Sequence, residues 1–347
     1  MRKLHLLLFI LLIALSSCSK NRDDEANKKA EWITKAFESL ESNSFPNIKA
    51  ISWWHEDFDN SKLTVNSSPE SLQAYKDAIS SSLYLEQADF SGNKLLPASG
   101  IYHSAFPDFG GTEDIVSSGQ INNFESLVGK QIVWAYFSNN WYDEIKFPSS
   151  EINIIHSAGR VPFIRIMPRT NFDDGGPDPN YTMQKIIDGY FDTQLIQWAV
   201  DAANCNFPLL VEFGTEVNGN WFPWNGEYNG GSNLNTYGND SLPDGPERFR
   251  DAYRHIIDLF NSNDAINITW FFHVDAYNEP DNSWNIIENY YPGDEYIDWL
   301  GVSVYGPQKG NDDYQTFIEI LNHTYPVLSQ LADKPIAILE FAVTEIE

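Results

Sequence analysis

Cysteine is almost absent from the 347 residues. Cys18 and Cys205 are the 2 present, and so few exclude a disulfide framework. Cations are scarce as well: 22 Lys plus Arg stand against 49 Asp plus Glu, a formal charge of −27. Such a surface repels nucleic acid, anionic lipid and polyanionic substrates at long range. No nucleic-acid partner is expected, and a neutral ligand is the easier one. No CxxC, HExxH or paired-histidine spacing occurs, so no metal is expected. No GxGxxG or GxxxxGK[ST] loop follows any apolar run, and no cofactor is implied. The apolar run from Leu6 to Leu15 is too short for a comfortable transmembrane span.

That run belongs to "MRKLHLLLFILLIALSSCSK", with Arg2 and Lys3 at its start and small residues before Cys18. It reads as a secretory signal. "LSSC" also resembles a bacterial lipobox, which implies cleavage before Cys18 and lipidation of that residue. The expected layout is a lipoprotein signal over 1–17, a lipid-anchored acidic linker over 18–27, and one folded unit over 28–347. Ser19 after the cysteine implies the outer membrane, and "DDE" at 23–25 resembles a surface-export tether. Cys205, at the end of an amphipathic stretch, reads as a small buried residue.

What is abundant is aromatic and apolar: 14% and 42% of the chain, with 11 Trp and 17 Tyr. Flat rings bind sugars through their C–H faces, although they also fill cores. Eight strand-like runs recur at 48–54, 100–106, 131–137, 161–167, 208–214, 267–273, 298–305 and 335–341, with helical stretches between them. Phe191, Leu195, Trp198, Ala199 and Ala202 share one helical face; Phe249, Tyr253, Ile256, Ile257 and Phe260 share another. This alternation predicts an α/β fold, a (β/α)8 TIM barrel. Polar residues cluster just past the strand ends, the rim where barrels of this kind do chemistry.

Cleaving a glycosidic bond takes two carboxyl groups, one protonated to assist the leaving oxygen and one ionised to attack or to activate water. Glu216 in "GTEVNGNWFPWNG" and Glu340 in "PIAILEFAVTEIE" both sit at or just past the end of an apolar strand. Asn218, Trp221 and Trp224 stand beside the first.

"GTEVNGNWFPWNG" resembles the acid/base strand of glycoside hydrolase family 26, the β-mannanases and their relatives. "YYPGDEYIDWLGVSVYG" resembles that family's sixth strand with its approach, and "KPIAILEF" its nucleophile strand. The family carries its acid/base on strand four and its nucleophile on strand seven, whereas here the two glutamates fall on the fifth and eighth. The segment from Lys28 through "ISWWHEDF" resembles what normally follows the nucleophile strand. The resemblance therefore implies a circular permutation, with the family's last βα unit first and the nucleophile strand last.

By the same resemblance Glu216 is the general acid/base, its pKa raised, and Glu340 the nucleophile, kept ionised by hydrogen bonds. Asn218 is expected to bind a sugar hydroxyl, and Tyr305 to hydrogen-bond the nucleophile. Trp54, rather than Trp53, should floor the reacting subsite, because alternation turns only one of them inward. Trp221 and Trp224, and further out Trp141, are expected to stack sugars. His103 and His273 lie on strands and either line the cleft or sit satisfied inside the barrel; His103 is carried as a substrate contact. Two positions depart from the family: its His before the acid/base is Thr215 here, and its Arg four residues before is Glu212. Glu212 should lie inside the barrel, with Arg165 on the neighbouring strand as its partner.

The expected activity is that of a retaining endo-acting β-glycanase, first on β-1,4-mannan, with mixed-linkage β-glucan or xylan as alternatives. A non-catalytic glycan-binding surface lipoprotein is the rival from another class. Retention of both glutamates speaks against it, since binding alone needs neither.

Overall fold

The computed structural model describes residues 27–58, 60–172, 175–308 and 314–345; the expected signal, Cys18 and nearly all of the linker lie outside them. Eight strands carry the fold: β1 Ile48–Trp54, β2 Ile101–Phe106, β3 Trp134–Asn140, β4 Val161–Met167, β5 Leu209–Phe213, β6 Ile268–Asp275, β7 Trp299–Tyr305 and β8 Ile336–Ala342. Every neighbouring pair is parallel, and β1 pairs with both β2 and β8, so the sheet closes on itself. The chain is a (β/α)8 barrel.

Seven of the eight strands lie within about two residues of where the pattern puts them. The third starts at Trp134 rather than Gln131 and runs on to Asn140. Its polar end stays in the ladder because Ser138, Asn139 and Asn140 pair in register with Arg165, Ile166 and Met167 of β4. Apolar character alone ended this strand too early.

The helices take their expected faces except at Phe191, which caps its helix from outside and is half-buried. Leu195, Trp198, Ala199 and Ala202 are the buried residues of Asp192–Ala203, and Phe249, Tyr253, Ile256, Ile257 and Phe260 are buried along Asp244–Ser262. No described helix is long and apolar enough to cross a membrane.

Two accessory pieces fix the barrel's ends. A hairpin of Phe90–Ser91 and Lys94–Leu95 covers the end where the strands start: the Lys94 ammonium reaches the Asp298 carboxylate at 2.7 Å, and the indole N–H of Trp299 donates to the Leu95 carbonyl at 3.1 Å. The helix 27–41 packs on the outside of β8, with Trp32 and Phe37 against Phe341 at 5.4 and 5.8 Å between ring centroids. Since Phe341 faces this helix, its neighbour Glu340 is left for the opposite side.

Glu340 is aimed by more than alternation. Val302 pairs with Ile338 but Ser303 pairs with Glu340, so β8 carries an extra residue at Leu339, a bulge of the kind that re-aims side chains near active sites. Gly301 makes room for it: a β-carbon there would lie 2.4 Å from the Leu339 Cδ1.

Candidate active site

The ends of the strands open into a cavity of about 1020 Å³, lined by Trp54, Glu56, Arg165, Glu216, Trp221, Asp275, Tyr305 and Glu340 among others. Glu216 and Glu340 meet there. One oxygen of each, together with a ring nitrogen of His273, all lie within 4.8 Å of one another.

Glu340, 5% exposed, is gripped from two sides. The Tyr305 hydroxyl donates to its Oε2 at 2.7 Å, and Arg165 Nη2 lies 3.0 Å from its Oε1. Arg165 is itself buried, between the Trp54 and Tyr136 rings at 5.2 and 5.1 Å. Glu113 takes its Nη1 at 3.1 Å, and Glu212 lies 3.5 Å from its Nε. The expected Glu212–Arg165 pairing is present but is the loosest of the three. Glu212 relies more on the Tyr136 hydroxyl, at 2.7 Å, and on His273 Nδ1, at 2.9 Å. The arginine chiefly serves the nucleophile position.

Glu216 stands on a tight turn. Gly214 has φ +65 and Glu216 itself φ 48, a left-handed conformation that costs a non-glycine residue on the order of 1–3 kcal/mol. Its Oε2 accepts the indole N–H of Trp221 at 2.8 Å, and the nearby Ser303 hydroxyl favours the charged form of its carboxyl.

Burial pushes both carboxyls up, Glu340 to about 7, where the charge of Glu216 raises it further against the pull of Arg165. Coupled groups this close share their protons, so the pair holds its last one until near neutrality. The guanidinium and the phenol keep the negative charge on Glu340. The proton therefore resides on Glu216, whose partners are neutral donors.

Asp275 is a third carboxyl in the cavity that the sequence reading passed over. Burial lifts it to about 7, and after burial its charge is the next cause of the rise at Glu216. Asp275→Asn removes that charge. Glu216 should then lose its proton more easily, and the alkaline limb of the kcat/KM profile should move to lower pH. The effect belongs above about pH 7, since below it Asp275 is neutral. An unmoved limb in a pH series would contradict this coupling. Alternation could have found Asp275, two residues beyond the inward-facing His273.

The remaining expectations divide. Trp54 lines the cavity while Trp53 turns outward, donating to the Leu63 carbonyl at 3.0 Å. Trp221 lines it and is 40% exposed, free to receive a ring. Glu56 lines it too, raised to about 7 by burial.

Asn218, Trp224, Trp141 and His103 do not face it. The Asn218 amide is consumed within the loops: it donates to the carbonyls of Asp275 and Tyr277 at 3.0 and 3.1 Å and accepts from the Asp275 N–H at 2.7 Å. Trp224 is buried, donates to the Thr215 carbonyl at 2.7 Å and stacks on Phe222. Both hold the acid/base turn in place. Trp141 is buried among Tyr181, Phe191 and Phe213. His103 faces the helical layer, 2.9 Å from the Tyr75 hydroxyl, and burial lowers it to about 4.

Two buried carboxyls facing each other at the mouth of a (β/α)8 barrel are the arrangement that glycosidic bond cleavage requires. Residues 178–336 match the model of Glycosyl hydrolase family 26, a stretch that holds Glu216 and stops just short of Glu340. The match covers 159 of the 347 residues.

Among curated proteins it is 26% identical over 233 residues to Endoglucanase H of Acetivibrio thermocellus, covering 66% of this chain and 23% of that protein. It is 25% identical over 138 residues to a beta-1,3-xylanase of Alcaligenes sp, covering 40% and 25%. The aligned stretches thus span about a quarter of the length of these relatives. The solved catalytic domain of a Bacillus sp. JAMB-750 endo-beta-1,4-mannanase aligns with a TM-score of 0.45 at 17% identity, over 91% of this chain and 72% of that one.

Proposed function

We propose that the protein is a retaining endo-β-glycanase acting on a neutral β-1,4-linked polysaccharide, β-mannan first. The observation that carries the mechanism is the approach of the Glu216 and Glu340 oxygens to within 4.8 Å. Retaining enzymes place their carboxyls about 5–5.5 Å apart, whereas inverting ones leave roughly 6.5–9.5 Å for a water.

In the first step Glu340 attacks the anomeric carbon while Glu216 gives its proton to the departing oxygen, and a glycosyl-enzyme ester forms. In the second, the Glu216 carboxylate takes a proton from water, which displaces Glu340 and leaves the configuration unchanged. A large cavity suits a polymer with several rings engaged. Glu56, Glu113 and Asp275 along its walls disfavour acidic sugars.

β-Glucan is the second reading, favoured by the relative named an endoglucanase and by Thr215 in place of the family's histidine. Reducing-sugar release from mannan, glucomannan, mixed-linkage β-glucan and xylan tests both. Release from one polymer, lost in Glu216→Ala and Glu340→Ala, names the substrate; release from none of them, by a folded protein, refutes the proposal.

The order of the βα units supports a circular permutation, since acid/base and nucleophile stand on the fifth and eighth strands with the family's offset of three. A closed barrel has no privileged first strand. A chain recut so that residues 100–345 precede 27–99 through a short linker should fold with unchanged activity; failure to fold would count against the permutation.

The sequence before residue 27 supports an outer-membrane, surface-facing site of action, anchored through Cys18. Metabolic labelling with radioactive palmitate should mark the protein and be lost in Cys18→Ser. Equal labelling of the two would refute the anchor.

A further inference from the structure

The family resemblance leads to a histidine before Glu216, where the chain has Thr215, and an imidazole from another strand, that of His273, lies against this threonine. His273 Nδ1 lies 2.7 Å from the Thr215 hydroxyl and 2.9 Å from Glu212 Oε2. Its Nε2 lies 2.9 Å from Ser303 Oγ, a ring nitrogen of His273 lies within 4.8 Å of a Glu216 oxygen, and Ser303 lines the same cavity as Glu216 and favours its charged form. His273, Ser303, Thr215 and Glu212 are all buried. A hydroxyl has one proton to give, so the way Ser303 turns follows from what His273 Nε2 does.

We propose that His273 and Ser303 are positioning residues for the acid/base, a relay running from Glu212 through His273 and Ser303 to Glu216. With Nδ1–H held by Glu212 and Nε2–H donating to Ser303, the serine proton can only point at Glu216. There it stabilises the carboxylate formed as Glu216 hands its proton to the leaving oxygen. No proton need leave the relay during that step; the hydroxyl supplies a fixed donor where negative charge develops. The charge of Glu212 holds His273 protonated against the effect of burial, which agrees with Nε2 as the donor. The groups facing the imidazole are Tyr136 from β3, Glu212 and Thr215 from β5 and its turn, and Ser303 from β7, with the Glu216 and Glu340 carboxyls beyond.

The proposal rests on the assignment of Glu216 as acid, so the test carries that assignment as its own control. Ser303→Ala and His273→Gln are compared with the native enzyme on the polymer it turns over and on the 2,4-dinitrophenyl glycoside of the matching disaccharide. The dinitrophenolate leaves without acid help. Ser303→Ala should lose roughly ten- to a hundredfold in kcat/KM on the polymer, the scale of one hydrogen bond to a charged group. On the dinitrophenyl glycoside it should stay within about threefold. The polymer's alkaline limb should also move to higher pH, since a donor to the Glu216 carboxylate is gone. His273→Gln, which keeps an N–H able to reach Ser303, should lie between Ser303→Ala and the native enzyme.

Equal losses on both substrates would overturn the relay and leave Ser303 and His273 as packing residues. Glu216→Ala, measured beside them, must itself show the split between the two substrates. If it does not, the acid assignment fails whatever the other variants do; if it does and Ser303→Ala does not, only the relay fails.

Discussion

Glu340→Ala is expected to lower kcat by a factor on the order of 10⁶, the scale seen when a covalent nucleophile is removed. In the proposed mechanism the carboxylate forms the bond to the sugar, so nothing else in the cavity can take over its step. Glu216 is within 4.8 Å but is needed protonated, and Asp275 carries neither the arginine nor the phenol that hold charge at 340. Azide should restore part of the turnover by entering the space the side chain leaves, giving a glycosyl azide of inverted configuration. A variant that kept more than about a tenth of native kcat would show that Glu340 is not the nucleophile. Loss without azide rescue would leave its role as nucleophile open to the binding reading.

Arg165→Leu should cost both stability and activity. The guanidinium touches three carboxylates, Glu113, Glu212 and Glu340, and removing one partner of a buried ion network typically costs about 3–5 kcal/mol because charge is left unpaired. In a chain of this size that corresponds to a fall in Tm of roughly 5–10 °C. Arg165→Lys keeps a charge but not the fork that spans three partners, and should fall between the two. Calorimetry on the three proteins at one pH decides the matter; an unchanged Tm in Arg165→Leu would mean that the arginine does not balance these acids. Activity should drop further than stability explains, since Glu340 then loses the cation that keeps it ionised.

Much of this was legible in residue order. Apolar runs alternating with amphipathic stretches gave eight strands, and a carboxyl at the end of two of them gave the pair. Trp54 over Trp53 followed from the period of a strand. The loop after β5 was not legible in the same way, because a turn has no period to say which side faces in. Asn218 and Trp224 have the chemistry of sugar contacts, but their polar atoms are used up against backbone carbonyls. Trp141 sits past the end of β3, and since that strand runs to Asn140 the tryptophan lands under the rim rather than on it. Ser303 could have been found: it lies two residues before Tyr305 and so shares its face. The bulge at Leu339 could not, since nothing in "AILEF" marks which residue is extra. His273 was open between two readings, and the structure agrees with the second: it is buried inside the barrel with Glu212, Thr215 and Ser303 as its partners.

The turn that presents Glu216 has one more implication. A glutamate at φ 48 is held in a shape that glycine would adopt without penalty, and its carboxyl is buried where ionisation is unfavourable. The position is thus a point of conflict between durability and turnover. A glycine at 216 would suit the backbone better than the glutamate does, and would leave a sturdier barrel that no longer cuts anything. Selection for stability alone would erase the acid, so the strained turn persists only as long as the chemistry is needed.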